Sequence, residues 1–241
     1  MNAWRAWLTM SLLLVTVSVY AVTTNDPVTA EREGRELAKQ LRNAKPSANL
    51  TNSGSIVIRV PKQPRQTISF NARIIVTETN WISFYDALNG ATNLARFSVE
   101  HLADGPNRYR LDCANLLETG KTTLPFAGSE FWLSDLGLEF FHWPIQLLIR
   151  REIKRSNACS VLESRNPSPP PGGYSRVISW IDNDTGGILL AEAYDAKGKL
   201  LKEFRPTEFE KINGEWQLQE MEIENVQTGA RSTLVFDLKP E

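Results

Sequence analysis

Two cysteines and two histidines, Cys113, Cys159, His101 and His142, are the whole stock of thiols and imidazoles in this 241-residue chain. A thiol nucleophile needs a base to take its proton, and Cys159 with His142 is the pairing that could be written for a thiol or hydrolytic enzyme. The same four side chains are enough in number for a tetrahedral zinc site, but they lack the close paired spacing such sites show. No His-Glu-x-x-His, no Gly-x-x-x-x-Gly-Lys-Ser/Thr and no Gly-x-Ser-x-Gly occurs. Asp135 and Glu139 stand four apart, the spacing of a helix-surface pair, and nothing raises them to a pair of glycosidase carboxylates. The residues therefore assign no catalytic group, no metal ligand and no cofactor.

Composition narrows the partners. Arg5 followed by the apolar run Ala6 to Tyr20 and the small-x-small triplet Val19-Tyr20-Ala21 reads as a signal peptide for export over residues 1–21, cleaved after Ala21. The run is shorter than the roughly 20 residues a spanning helix needs. Loss of Arg5 leaves 26 basic against 28 acidic side chains, a balance that argues against nucleic acid as a partner. Export also sets an oxidising compartment, in which Cys113 and Cys159 form a possible disulfide or stay as two buried thiols.

The elements that would position any site are mostly strands. Residues 22–49 hold one helix and its connection: Asp26 before Pro27 is a start signal, and Ala30, Gly34, Leu37, Ala38 and Leu41 form a narrow stripe for docking on a sheet or lying over a cavity. From residue 50 to 241 the period is two. Ile68, Phe70, Ala72, Ile74 and Val76 share one face, and Tyr174 to Leu238 reads as a five-strand antiparallel meander with turns at Asp182–Gly187, Ala196–Lys199, Asn213-Gly214 and Thr228-Gly229. Arg150, Arg151, Lys154 and Arg155 mark a further hairpin, a solvated face by preference and an acidic-partner or head-group surface otherwise.

One run breaks the pattern. Phe126 to Trp143 concentrates aromatic residues between strands, with Ser129 and Ser134 as candidate helix caps. So much aromatic surface in a connection implies a large apolar area beneath it, either a cavity to cover or a core end to plug.

That run, with Tyr174-Ser-Arg-Val-Ile-Ser-Trp-Ile-Asp182, Ala193 to Phe204 and Trp216 to Asn225, resembles the LolA-like outer-membrane lipoprotein-sorting proteins, in a divergent and largely uncharacterised branch, over roughly Leu50 to Leu238. The resemblance implies a mainly β fold, an unclosed antiparallel β-barrel (half-barrel) with an N-terminal helix and a short helical lid, and a periplasmic protein whose hollow holds acyl chains of lipids or lipoproteins during transfer. On that reading Phe131, Trp132, Leu136, Phe140, Phe141 and Trp143 form the lid or mouth, and Phe70, Ile74 and Phe236 belong to the walls. The implied partners are acyl chains and inner- or outer-membrane transport proteins. A sensor of the same fold would instead bind a membrane regulator.

Overall fold

The computed structural model describes residues 22–23, 26–89, 92–102, 105–113, 116–119, 121–212 and 215–238; the leader expected over residues 1–21 lies outside them. Alternating apolar and polar side chains, broken by glycine and asparagine turns, make most of this chain β-structure. In order the strands are β1 (Val22–Thr23), β2 (Leu50–Arg59), β3 (Gln66–Val76), β4 (Asn80–Asn89), β5 (Thr92–Leu102), β6 (Arg108–Cys113) and β7 (Leu116–Thr119). After the aromatic run come β8 (Ile145–Lys154), β9 (Asn157–Arg165), β10 (Arg176–Asp182), β11 (Ile188–Tyr194), β12 (Leu200–Ile212), β13 (Glu215–Asn225) and β14 (Ala230–Asp237).

All fourteen belong to one antiparallel sheet in the order β1-β8-β9-β10-β11-β12-β13-β14-β2-β3-β4-β5-β6-β7. Two meanders are joined where β14 pairs with β2, with Leu234 opposite Ile56. The sheet has two edges, β1 and β7, so it is an open barrel rather than a closed one. The five-strand meander expected from Tyr174 onward is β10 to β14, and Gly198 and Gly229 take the positive φ of about 74° that its turns require.

The helix α1 (Pro27–Arg42) starts where the sequence places it: the Asp26 carboxylate accepts from the amides of Val28 and Thr29 at 3.3 and 3.1 Å. Its stripe of Ala30, Gly34 and Ala38 is buried against β8, so the helix is docked. Gly34 is required there, because a Cβ at that position would lie 2.5 Å from the Gln146 carbonyl oxygen. The helix ends at Arg42, a turn before Pro46.

The sheet has an inner face, covered by α1 and the aromatic run, and an outer one. On the outer face charges pair across strands, Asp86 with Arg73 and Arg96, Glu222 with Arg205 and Glu224 with Arg231, and along β12, Glu203 with Arg205. The four cations of the β8–β9 hairpin are also engaged. Arg150 pairs with Glu152, Arg151 with Glu33, Arg155 donates to the Pro206 carbonyl, and Lys154 lies 4.7 Å from the Trp180 ring centre. They form a solvated and internally paired face, not a free cationic patch.

Candidate functional site

The chain leaves β7 at one edge of the sheet and must reach β8 beside the other edge. It does so through residues 121–144, an insert that crosses the inner face. The insert contains one turn of α-helix, α2 (Leu133–Leu136), and two 3₁₀ turns at Phe126–Gly128 and Glu139–His142. Ser134 is buried inside α2 and is not its cap. The cap bond is made by Asp135, whose carboxylate accepts from the Trp132 amide at 2.8 Å. Ser129 acts one turn earlier, accepting from the Phe131 amide at 3.2 Å.

The insert fills the hollow that the sheet encloses. Phe126, Phe131 and Leu133 enter a core with Ile56, Phe70, Phe97, Tyr109, Leu111, Ile223 and Leu234. Phe140 and Phe141 enter a second core with Ala38 of α1, Leu162, Tyr174, Val177 and Ile181. These five insert side chains are 0–5% exposed. The expected lid residues are thus split between the two clusters: Phe131 and Leu136 pack in the first, Trp132, Phe140, Phe141 and Trp143 in the second. Of the wall residues, Phe70 and Phe236 meet edge to face at 5.5 Å in the first cluster. Ile74 belongs to neither cluster.

An irregular backbone buried under a sheet has amides and carbonyls that need partners. Side chains from the scaffold supply them. Gln146, 2% exposed, donates to the carbonyls of Phe140 and Trp143 at 2.9 and 3.0 Å and accepts from Ser164 at 2.7 Å. Asn107 donates to the Gly137 carbonyl at 2.7 Å, Arg42 to that of Phe141 at 3.1 Å, and the Ser232 hydroxyl accepts from the Glu130 amide at 2.9 Å. Gly137 admits the close approach, since a Cβ there would lie 2.5 Å from the Tyr109 ring.

The remaining hold is electrostatic. Lys202 on β12 is 1% exposed and points at the insert. Its ammonium donates to the Glu130 carbonyl, sits 3.6 Å from the Trp132 ring centre and lies 3.8 Å from both the Glu130 and Asp135 carboxylates. Tyr174 donates to Asp135 at 3.2 Å and Asn225 to Glu130 at 3.2 Å. Burial pulls Lys202 below the usual lysine range and pushes Asp135 above the usual carboxylate range, each partly offset by the other's charge. Burial, followed by the Asp135 charge, raises Tyr174 well above 10. Lys202, Gln146, Ser164, Asn107 and Ser232 were not singled out by the sequence reading. One signal for Lys202 was available: it stands two residues before Phe204, in the period-two register of an inward face.

The histidines meet at another insert contact. His101 on β5 stacks on Trp81 at 4.6 Å and lies 3.3 Å from the Ser83 hydroxyl. Burial, then the neighbouring His142, depresses it to about 4; burial, then Arg42, depresses His142 to about 4. Both imidazoles are neutral around pH 7. Cys159 is free, so the possible bridge to Cys113 is not formed. Its thiol contacts the Asn157 carbonyl at 3.5 Å, and the Cys113 side chain lies outside the described residues. Burial raises the Cys159 thiol above its ordinary value, the reverse of what a nucleophile needs. Among the described residues no cluster of three or more metal-ligating side chains forms.

A cleft of about 530 Å³ opens between α1 and the ends of β8 to β10. Its lining mixes Arg32, Glu36 and Asp182 with Leu37, Leu41 and Ile181, the last three shared with the second core. No helix among the described residues is long and apolar enough to cross a membrane.

A family model described as "Uncharacterized protein" matches residues 116–238, just over half of the chain. No protein of curated function matches the sequence. In fold, the chain is similar to a putative outer membrane lipoprotein-sorting protein domain from Vibrio parahaemolyticus, at 19% identity and TM-score 0.72, covering 86% of this chain and 92% of that one. It is also similar to a DUF1329 family protein from Desulfovibrio piger, at 20% identity and TM-score 0.69, with 86% and 91% covered. A LolA superfamily protein from Nitrosomonas europaea superposes with TM-score 0.61 at 17% identity, with 88% and 94% covered.

Proposed function

Because the chain belongs to the uncharacterized-protein family whose model spans residues 116–238, and has a LolA-like fold, we propose that it is a periplasmic carrier. On this reading its inner face takes up acyl chains of lipids or lipoproteins in place of the insert. The observation that carries the proposal is the nature of the cover. A continuous apolar sheet face is closed by α1 at one end and by an irregular connection over the rest, not by a second sheet, and that connection is held in part by scaffold side chains bonded to its carbonyls. Such a cover can lift as a unit while the fourteen-stranded ladder stays paired. The cleft beside α1 reaches the second core through Leu37, Leu41 and Ile181 and offers a first foothold for a chain end.

The test uses the exported chain purified without detergent. Native mass spectrometry is expected to find co-purifying lipid or, after delipidation, uptake of a fluorescent long-chain fatty acid. Hydrogen exchange in residues 126–143 should rise when the probe binds, while β10 to β14 stay protected. A protein that is free of lipid and refuses the probe, with unchanged exchange in the insert, overturns the reading.

A further inference from the structure

The buried charges beneath the insert suggest what kind of amphiphile the groove takes, an inference that rests on the carrier reading. Lys202 is the one buried cation among the described residues. Both of its counter-charges, Glu130 and Asp135, belong to the insert. Its cross-strand neighbours on the sheet, Ala193 and Asn225, carry no charge. If the insert lifts, the ammonium loses both carboxylates at once, with no replacement from the strands beside it.

Two further donors are arranged in the same way. Tyr174, which opens the β10 arm, spends its hydroxyl on Asp135, and Asn225 of β13 spends its side-chain amide on Glu130. Three scaffold donors of different chemistry, an ammonium, a phenol and an amide, therefore converge on carboxylates supplied by the removable element. That arrangement is an anion site whose present occupant is part of the chain. A buried ammonium left without an anion is strongly unfavourable, so opening is favoured by a ligand that brings its own.

We propose that Lys202, Tyr174 and Asn225 form the head-group site of the groove, binding the carboxylate or phosphate of an acidic amphiphile in place of Asp135 and Glu130. The cargo is then an anionic lipid rather than a neutral acyl glyceride. The acyl chain occupies the space of the insert aromatics, and the head group takes the position of its two acids.

Competition against the fluorescent probe tests this, using a long-chain fatty acid, its methyl ester, phosphatidic acid and diacylglycerol, each below its aggregation limit. The acid and the phosphatidic acid are expected to compete about tenfold more strongly than their neutral counterparts, while inorganic phosphate and acetate do not compete. The preference should fall toward unity in Lys202→Met. It should weaken in Tyr174→Phe, which keeps the ring and its packing and serves where Lys202→Met does not fold. Equal competition by acid and ester in the unaltered protein overturns the head-group site and leaves the carrier reading standing. A preference that persists in the variants also overturns it, because the anion must then bind elsewhere. Competition by free phosphate would make the site one for small anions, not lipids, and failure of every amphiphile would remove the carrier reading as well.

Discussion

Replacing Lys202 by Met tests whether charge holds the insert down. The side chain keeps its length and apolar stem and loses only the ammonium. At 3.8 Å from Asp135, and at an effective dielectric of about 20, the gross attraction to that one carboxylate is about 4 kcal/mol. Breaking a buried pair commonly costs about 3–5 kcal/mol, because the partner is left unpaired. Asp135 retains bonds from the Trp132 amide and the Tyr174 hydroxyl and can also take up a proton. We therefore expect Lys202→Met to lose about 2–3 kcal/mol at pH 7 in urea titrations followed by tryptophan fluorescence. The sign of the pH dependence follows from Asp135. Its folded value is already raised by burial, and removing the cation raises it further, so the folded variant holds its proton more tightly than the unfolded chain does. That contribution favours folding below the unfolded value of about 3.8 and is lost as pH rises through the folded one. Lys202→Met should thus be penalised less at pH 4 than at pH 7. In the double variant with Asp135→Asn, the loss should fall short of the two single losses combined by about 1–2 kcal/mol. Additivity within about 0.5 kcal/mol, or a Lys202→Met loss below that figure, would refute the reasoning.

Gln146→Ala removes both side-chain bonds to the carbonyls of Phe140 and Trp143 and should cost about 2–3 kcal/mol, with faster amide exchange confined to the end of the insert and the start of β8. Because His101 and His142 have folded values near 4 against an ordinary 6.5, stability should be full above pH 6.5 and decline as pH falls toward 4. His142→Gln should flatten that decline in thermal melts between pH 7 and 5. Cys159 should resist iodoacetamide in the native protein and react once urea unfolds it; rapid native alkylation would contradict its burial.

Much of the fold is written in local patterns. The alternation of Ile68, Phe70 and Ala72, the glycine turns at Gly186, Gly198 and Gly229, and the Asp26-Pro27 start each depend on a few neighbouring residues, and each is found where the sequence places it, while the expected Asn213-Gly214 turn lies outside the described residues. The insert could be recognised by its aromatic content, but its geometry depends on partners far away in sequence. Gln146, Ser164, Lys202 and Ser232 are ordinary polar residues on strands, and Asn107 one in the turn before β6, until the crossing of the insert brings carbonyls and amides against them. The same reason hid the fate of Ser134. A serine before a hydrophobic run is a plausible cap, but here the turn begins at Leu133 and Asp135 makes the bond from within it. Ile74 has the correct parity for the inner face yet joins neither core, because period-two reading fixes the side of a strand and not how far along it the cover extends.

A filled hollow and a carrying function are compatible once the empty state is considered. An apolar face of this size cannot stand bare in water, so an unloaded carrier must cover it with something. Exposing Phe126, Phe131, Leu133, Phe140 and Phe141 would forfeit about 8–15 kcal/mol at roughly 1.5–3 kcal/mol for each side chain. One acyl chain of about sixteen carbons regains about 13 kcal/mol at roughly 0.8 kcal/mol per methylene. Loading is then an exchange between nearly equal burials, and affinity is the small difference. Each methylene should change the dissociation constant about fourfold, until the chain fills the space of the insert. Chains of about eight carbons should fail to displace the insert, for they regain only about 6 kcal/mol. Titrating a saturated fatty-acid series against the fluorescent probe measures that slope. A flat dependence on length would mean that the insert never leaves the inner face and that any bound chain lies outside it.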